Sequence, residues 1–205
     1  MQRIREGVRK FRSRIFPARR ALFEQLAAQQ NPDTLFITCA DSRVVPNLFT
    51  HTGPGEMFVE RNPGNIVPPY SHESAGELAS IEYAVAALGV HNVIVCGHSD
   101  CGAMKGMLHP ENVAAYPAVA RWLAQGDALR RQIEAGHPGA NEEEKVRLIT
   151  ELNVRTQLEN LKLHPSITPR LESGALALYG WIYEIESGRV LALDEETGEF
   201  RLWPD

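Results

Sequence analysis

The sequence predicts an α/β fold: a central, mostly parallel β-sheet flanked by helices, with an antiparallel C-terminal edge and N-terminal helices packing on a dimer partner. Three observations lead there. Two apolar runs rich in β-branched residues, 34–38 and 93–96, are bounded by Pro, Asp and Gly and have the length of buried parallel strands. Stretches of helical period lie between and after them, the alternation expected of a parallel sheet. Beyond residue 175 the period drops to two, and Ser187-Gly188 and Thr197-Gly198 supply turns for a strand followed by a hairpin.

Taken in order, Ile4, Val8, Phe11 and Ile15 form a narrow helical stripe that Pro17 should interrupt. A second helix is expected over 19–29, with Leu22, Phe23 and Leu26 on one side. Strand one leads to Cys39, Pro46 opens a short helical turn, and residues 57–59 read as a short second strand. Leu78, Ile81, Ala84, Val85 and Leu88 predict a helix over 72–88 that stops at Gly89. Strand three, 92–96, delivers His98, and a helix opens near Cys101. Residues 111–162 are helical, broken around 136–139, and Pro165 and Pro169 bracket a short helix or turn. The whole reads as one domain: an arm at 1–30, an α/β core at 31–174 and a β segment at 175–205.

With 43% apolar and 23% charged residues, the 205-residue chain has an ordinary globular composition. No apolar run approaches the length needed to span a bilayer. Three cysteines do not make a disulfide framework, so a cytoplasmic, reducing compartment is expected. Residues 1–20 hold eight Lys or Arg against Glu6 alone, whereas the whole chain has a net charge of −5. The basic arm therefore suits an acidic body, its own or a partner subunit's, and lacks the order of a secretory signal. Negative total charge and the lack of a recognition motif argue against nucleic acid.

The chemistry concentrates in Cys39-Ala40-Asp41-Ser42-Arg43 and Gly97-His98-Ser99-Asp100-Cys101-Gly102. Each follows a predicted strand, and the carboxyl ends of neighbouring parallel strands are where open α/β sheets build sites. Cys39, His98 and Cys101 make a zinc set of two thiolates and one imidazole. Three protein ligands leave a fourth position open, as catalytic zinc sites do. Spacing leaves Cys96 open as a ligand, although its place at the end of an apolar strand favours packing. Asp41 is the one further candidate for the fourth position. The helix opening at Cys101 should favour its thiolate form.

Cys-x-Asp-x-Arg followed by His-x-x-Cys resembles the zinc site of the β-class carbonic anhydrases. So do Pro54-Gly55-Glu56, 61–65 (Arg-Asn-Pro-Gly-Asn), 82–85 (Glu-Tyr-Ala-Val) and 180–183 (Gly-Trp-Ile-Tyr). The likeness covers nearly the full chain and looks nearest to the plant-like subgroup with its cyanate-associated bacterial members. It implies zinc-dependent, reversible hydration of carbon dioxide to bicarbonate and a proton, by a zinc-bound hydroxide that an Asp41–Arg43 dyad orients. It further implies one zinc per chain, substrate contacts from Gln30, Phe58 and Tyr83, with Gln30 reaching across a dimer interface, and a homodimer or dimer-based oligomer. Pro63 departs from the small apolar residue usual there. Phe36 and Thr38 stand where the bicarbonate-inhibited branch carries Trp and Gly, so a constitutively open site is expected.

The alternatives are hydrolysis of carbon disulfide or carbonyl sulfide on the same site, and a noncatalytic zinc- or bicarbonate-binding module. The dyad argues against the last. His51, His72, His91, His109, His137 and His164 are read as loop or helix-end residues, mostly solvated, among which a proton shuttle is conceivable.

Overall fold

The computed structural model describes residues 1–71 and 76–203, and the chain divides into two compact units, Met1–Asn31 and Pro32–Asp205. The first unit is helical. Helix α1 (Gln2–Lys10) runs on through a π-turn (Phe11–Ile15) into α2 (Phe16–Ala18), and α3 (Arg20–Ala28) follows. The break falls at Arg19 (φ −123°, ψ 22°), two residues after Pro17. The wider π-turn ahead of Pro17 explains the delay, since a ring without an N–H is tolerated within the first turn of a new helical segment. Phe11, Phe16 and Phe23 pack together with centroids 5.4–6.2 Å apart. Ile4, Val8 and Ile15 stay exposed.

The second unit is built on a six-stranded sheet in the order β2-β1-β3-β4-β5-β6. Its strands are β1 (Thr34–Cys39), β2 (Met57–Asn62), β3 (Asn92–His98), β4 (Ala177–Tyr183), β5 (Val190–Leu193) and β6 (Phe200–Trp203). The first four are mutually parallel and the last two antiparallel, as expected. Strand β2 extends three residues beyond the predicted segment. Its charged end hid the strand from a hydrophobicity reading, yet the ladder with β1 continues to Cys39↔Asn62. Strand β3 likewise runs on to His98.

The helices of this unit are α4 (Pro46–Phe49), α5 (Gly76–Glu82, continued by a π-turn Tyr83–Ala87), α6 (Gly102–Leu108), α7 (Pro117–Leu123), α8 (Asp127–Gly136), α9 (Glu142–Lys162) and α10 (Thr168–Glu172). The predicted start of the helix over 72–88 lies outside the described residues; its end at Leu88, before Gly89 (φ 73°), is as expected. Helix α9 is the long one. Asn141 and Glu144 cap it reciprocally, each side chain bonding the other's backbone, and three glutamates occupy its positive end.

Alternation along the strands fixes two faces. Leu35, Ile37, Val93, Val95 and Ile182 point toward α9, where Val154, Leu158 and Leu161 complete a buried cluster. Phe36, Ile94, Cys96 and Trp181 point the other way, against half-buried Phe49, Met57 and Tyr183. A third cluster, from Cys39 through Cys101, Met104 and Met107 to Leu129 and Ile149, surrounds the ends of the strands.

Gly180 lets α9 lie close to the sheet: a Cβ there would stand 2.9 Å from Leu158 Cδ1 and 3.0 Å from Val154 Cγ1. Gly180→Val should therefore overpack this layer and cost about 1–3 kcal/mol of stability. Thermal unfolding checks this, and a parental Tm would contradict the packing described.

Candidate metal centre

Strands β1 and β3 are adjacent and parallel, with Thr38 opposite Cys96. That register brings the end of β1 beside the end of β3. Cys39, the next residue, turns to the face opposite Thr38, toward the cluster that holds Cys101. Cys39, His98 and Cys101 come together, each buried, with their ligand atoms all within 4.8 Å of one another. The two sulfurs are 3.9 Å apart.

His98 is set up as a ligand. Its Nδ1 lies 2.8 Å from the Ser99 carbonyl, which only accepts, so the proton sits on Nδ1 and the lone pair on Nε2. Nε2 is buried and has no hydrogen-bond partner. An orphaned buried nitrogen is costly unless something binds it.

The two sulfurs act on each other through their contact. The hydrogen bond from Cys101 pulls the Cys39 thiol down to about 4 against the opposing effect of burial, with further help from His98 and from the Gly64 N–H. Cys101 is held well above the ordinary thiol range, first by the same Cys39 contact and then by burial. The N–H groups of Met104 and Ala103, at the start of α6, act on Cys101 in the expected direction but are outweighed. The helix start therefore favours the Cys101 thiolate as the sequence suggests, and the mutual contact of the two sulfurs is the larger effect on each. Two buried thiolates need a cation between them, and an orphaned imidazole lone pair completes the donor set for zinc. The residues fit the metal.

Beside this cluster stands Asp41. Its Oδ1 accepts from the Arg43 backbone N–H (2.9 Å) and Nε (3.0 Å), and its Oδ2 from Nη2 (2.8 Å). These side-chain bonds hold the Asp41 carboxyl below the ordinary carboxylate range. The same Oδ2 is 3.9 Å from His98 Nε2, so the carboxylate borders the ligand set while Arg43 occupies both of its oxygens.

Three supports were not legible as such in the sequence. Arg61 donates to the carbonyls of Cys39 and Asp41, bracing the backbone between ligand and carboxylate. Gly64 (φ 84°) gives its N–H to Cys39 Sγ at 3.4 Å, and a Cβ there would meet Ala103 Cβ at 3.1 Å. The loop carrying Gly64 is in turn held by α9: Asn153 donates to Gly64 O, Gln157 donates to Asn153 and accepts from Val67 N–H, and Asn160 donates to Val67 O. The signal was present in three amides at helical spacing on a helix otherwise apolar toward the core.

Cys96 belongs elsewhere. It packs among Phe36, Ile94 and Trp181, its thiol donates to Gly97 O, and burial pushes it up to about 12. Phe58 and Tyr83 pack together, centroids 6.0 Å apart, but not beside Cys39. Phe58 is opposite Leu35 while Asn62 is opposite Cys39, so Phe58 sits about 13 Å down the sheet at 3.3 Å per residue. Gln30 lies exposed in the loop ending the first unit. Among the histidines, His51, His91 and His137 are exposed and His109 half-exposed. His164 departs from expectation: it is buried, bonded to Ser166 and edge-on to Tyr70. His72 lies outside the described residues.

The carbonic anhydrase family profile matches residues 34–190. The chain belongs to the β-carbonic anhydrase family. It is 47% identical to a carbonic anhydrase of Synechococcus elongatus, over 97% of this chain and 74% of that one. It is 48% identical to a carbonic anhydrase of Pseudomonas aeruginosa, over 98% of this chain and 90% of that one. Among solved structures, the β-carbonic anhydrase CcaA superposes with a TM-score of 0.95 at 46% identity, covering 98% of both chains. Among the described residues of this β-carbonic anhydrase, no helix is long and apolar enough to cross a membrane.

Cys39→Ser should remove most of the zinc from the purified protein, whereas Cys96→Ser should retain about one zinc per chain. Metal analysis of both variants decides it; the reverse pattern would overturn the ligand assignment.

Proposed function

We propose that this protein catalyses the reversible hydration of carbon dioxide to bicarbonate and a proton, with one zinc held by Cys39, His98 and Cys101. The observation that carries the reading is the closed Asp41–Arg43 pair bordering a three-donor cluster. Zinc held there supplies the Lewis acidity that makes water nucleophilic near neutral pH. The Ser99 carbonyl keeps the His98 ring in the tautomer whose Nε2 donates its lone pair. Asp41, ionised by its Arg43 bonds, accepts a proton of the attacking water as a hydrogen bond and so fixes where the oxygen lone pair points. Arg43 keeps Asp41 from becoming a fourth ligand. Without it, the carboxylate is a good oxygen donor beside the cluster and fills the place that water needs.

Substrate contacts come in part from a second copy in this reading. Phe58 and Tyr83 stand too far down the sheet to serve their own chain's site, and Tyr83 is 48% exposed. They supply an apolar wall for carbon dioxide in the partner's site, and Gln30 an amide for bicarbonate. The exposed stripe of Ile4, Val8 and Ile15 on a basic arm, against a net-negative remainder, supports a homodimer in which the arm packs on the partner. A cytoplasmic location accords with three unpaired cysteines.

Two experiments follow from this account. In stopped-flow assays Arg43→Ala should retain zinc yet lose about 10–100-fold in hydration rate, the usual cost of removing an orienting partner. The parent's activity should decline with falling pH as one smooth titration, without cooperative bicarbonate shutdown. Full activity in Arg43→Ala, or a steep bicarbonate-dependent loss in the parent, contradicts the mechanism. Separately, deleting residues 1–20 should shift sedimentation toward monomer or aggregate. A fully active dimer after that deletion would remove the arm from the interface.

A further inference from the structure

Asp41 uses only part of the Arg43 donor fork. The far edge of the guanidinium is held by Asp100: Arg43 Nη1 donates to Asp100 Oδ2 at 2.9 Å, and Nη2 to the Asp100 carbonyl at 3.1 Å. The other carboxylate oxygen of Asp100 bonds Lys105, in the middle of α6. A continuous chain of charge-assisted bonds therefore runs from Lys105 through Asp100 and Arg43 to Asp41.

Two features say that this chain serves position rather than stability. Its members are solvent-accessible, with Arg43, Asp100 and Lys105 side chains 43%, 55% and 48% exposed. Exposed pairs of this kind add little to global stability. Asp100 also adopts φ 56°, a conformation sparsely populated outside glycine, in the short turn between His98 and Cys101. Glycine is the residue that would take this backbone without strain. An aspartate that keeps its side chain at the cost of strain, and aims it at Arg43, points to a use for the carboxylate.

The need for a second hold is visible around Arg43. Its outer side opens on a cleft of about 1360 Å³ whose lining mixes acids such as Glu143 and Glu186 with the bases Lys105, Arg147 and Arg189. A guanidinium held only by Asp41 is free to swing toward that cleft, and it carries the Asp41 restraint away with it.

We infer that Asp100 is a positioning residue, which holds the far edge of Arg43 so that Arg43 keeps Asp41 off the metal position, with Lys105 setting the Asp100 side chain. This rests on the role given above to the Arg43–Asp41 pair. Asp100 touches neither substrate nor metal in this account.

The test sets Asp100→Gly beside Arg43→Ala and Asp100→Asn, each loaded with zinc for kinetics and with cobalt(II) for visible spectroscopy. Asp100→Gly should keep one metal per chain and a Tm equal to or above the parent's, because glycine relieves the left-handed backbone. It should nevertheless lose about tenfold or more in kcat, with KM little changed. The ligand-field bands of its cobalt form should move from the parent's toward those of Arg43→Ala, reporting Asp41 at the metal. Asp100→Asn keeps an acceptor oxygen and tolerates the same backbone, and should recover most of the loss. Parental kcat and a parental cobalt spectrum in Asp100→Gly would overturn the inference while leaving the Arg43 reading intact. A kcat loss that merely tracks falling Tm or metal content would also overturn it, by making Asp100 structural. Parental kcat in Arg43→Ala would instead overturn the reading on which it stands.

Discussion

The parallel pairing of β1 with β3 is the constraint on which the site depends. Its register, Thr38 against Cys96, sets the end of one strand beside the end of the other and so brings Cys39 to His98. Because side chains alternate, a one-residue slip would turn Cys39 to the Phe36 face and Thr38 to the site. The register is protected on both sides of the sheet. Leu35, Ile37, Val93 and Val95 bury against α9, and Phe36 and Ile94 bury on the other face. The Thr38 hydroxyl adds a bond to Cys96 O across the same two strands. A slip would put each set of side chains against the face packed for the other, at the cost of strain and voids on both.

Helix α9 then ties the core to the ligands. Its apolar residues cover the sheet, and its amides Asn153, Gln157 and Asn160 hold the loop that presents the Gly64 N–H to Cys39 Sγ. These amides are buried or half-buried and bonded to backbone or to one another, so the loop's polar groups are satisfied where water is excluded. Electrostatics follows from the same arrangement. Two buried sulfurs in contact resist being ionised together, so a pair of thiolates there requires a compensating cation. On the exposed side, Arg43 is pinned between Asp41 and Asp100, where geometry matters more than the small free energy of the pairs.

Much of this was legible in the sequence because it is local. The strand runs and the short turns at Gly89, Gly188 and Gly198 lie within a few residues of their cause. The gathering of Cys39, His98 and Cys101 was legible because strand ends of a parallel sheet converge and the donor types are few. What escaped depends on long-range placement. The end of β2 was hidden by Glu60 and Arg61, whose strand conformation comes from pairing with β1 rather than from propensity. The arm's break moved from Pro17 to Arg19 because a π-turn accommodated the ring. The histidines outside the site were read as loop or helix-end residues, mostly solvated, yet the chain folds over His164.

X-ray absorption at the zinc edge tests the central claim most directly, that Cys39, His98 and Cys101 hold the metal and Asp41 does not. The parent at neutral pH should show two sulfur neighbours at about 2.3 Å and two lighter ones near 2.0–2.1 Å. Added bromide should replace one light neighbour by a heavy scatterer, as an open fourth position requires. A third sulfur, or a shell that bromide leaves unchanged, would contradict the account: the first by bringing Cys96 into the site, the second by placing Asp41 on the metal.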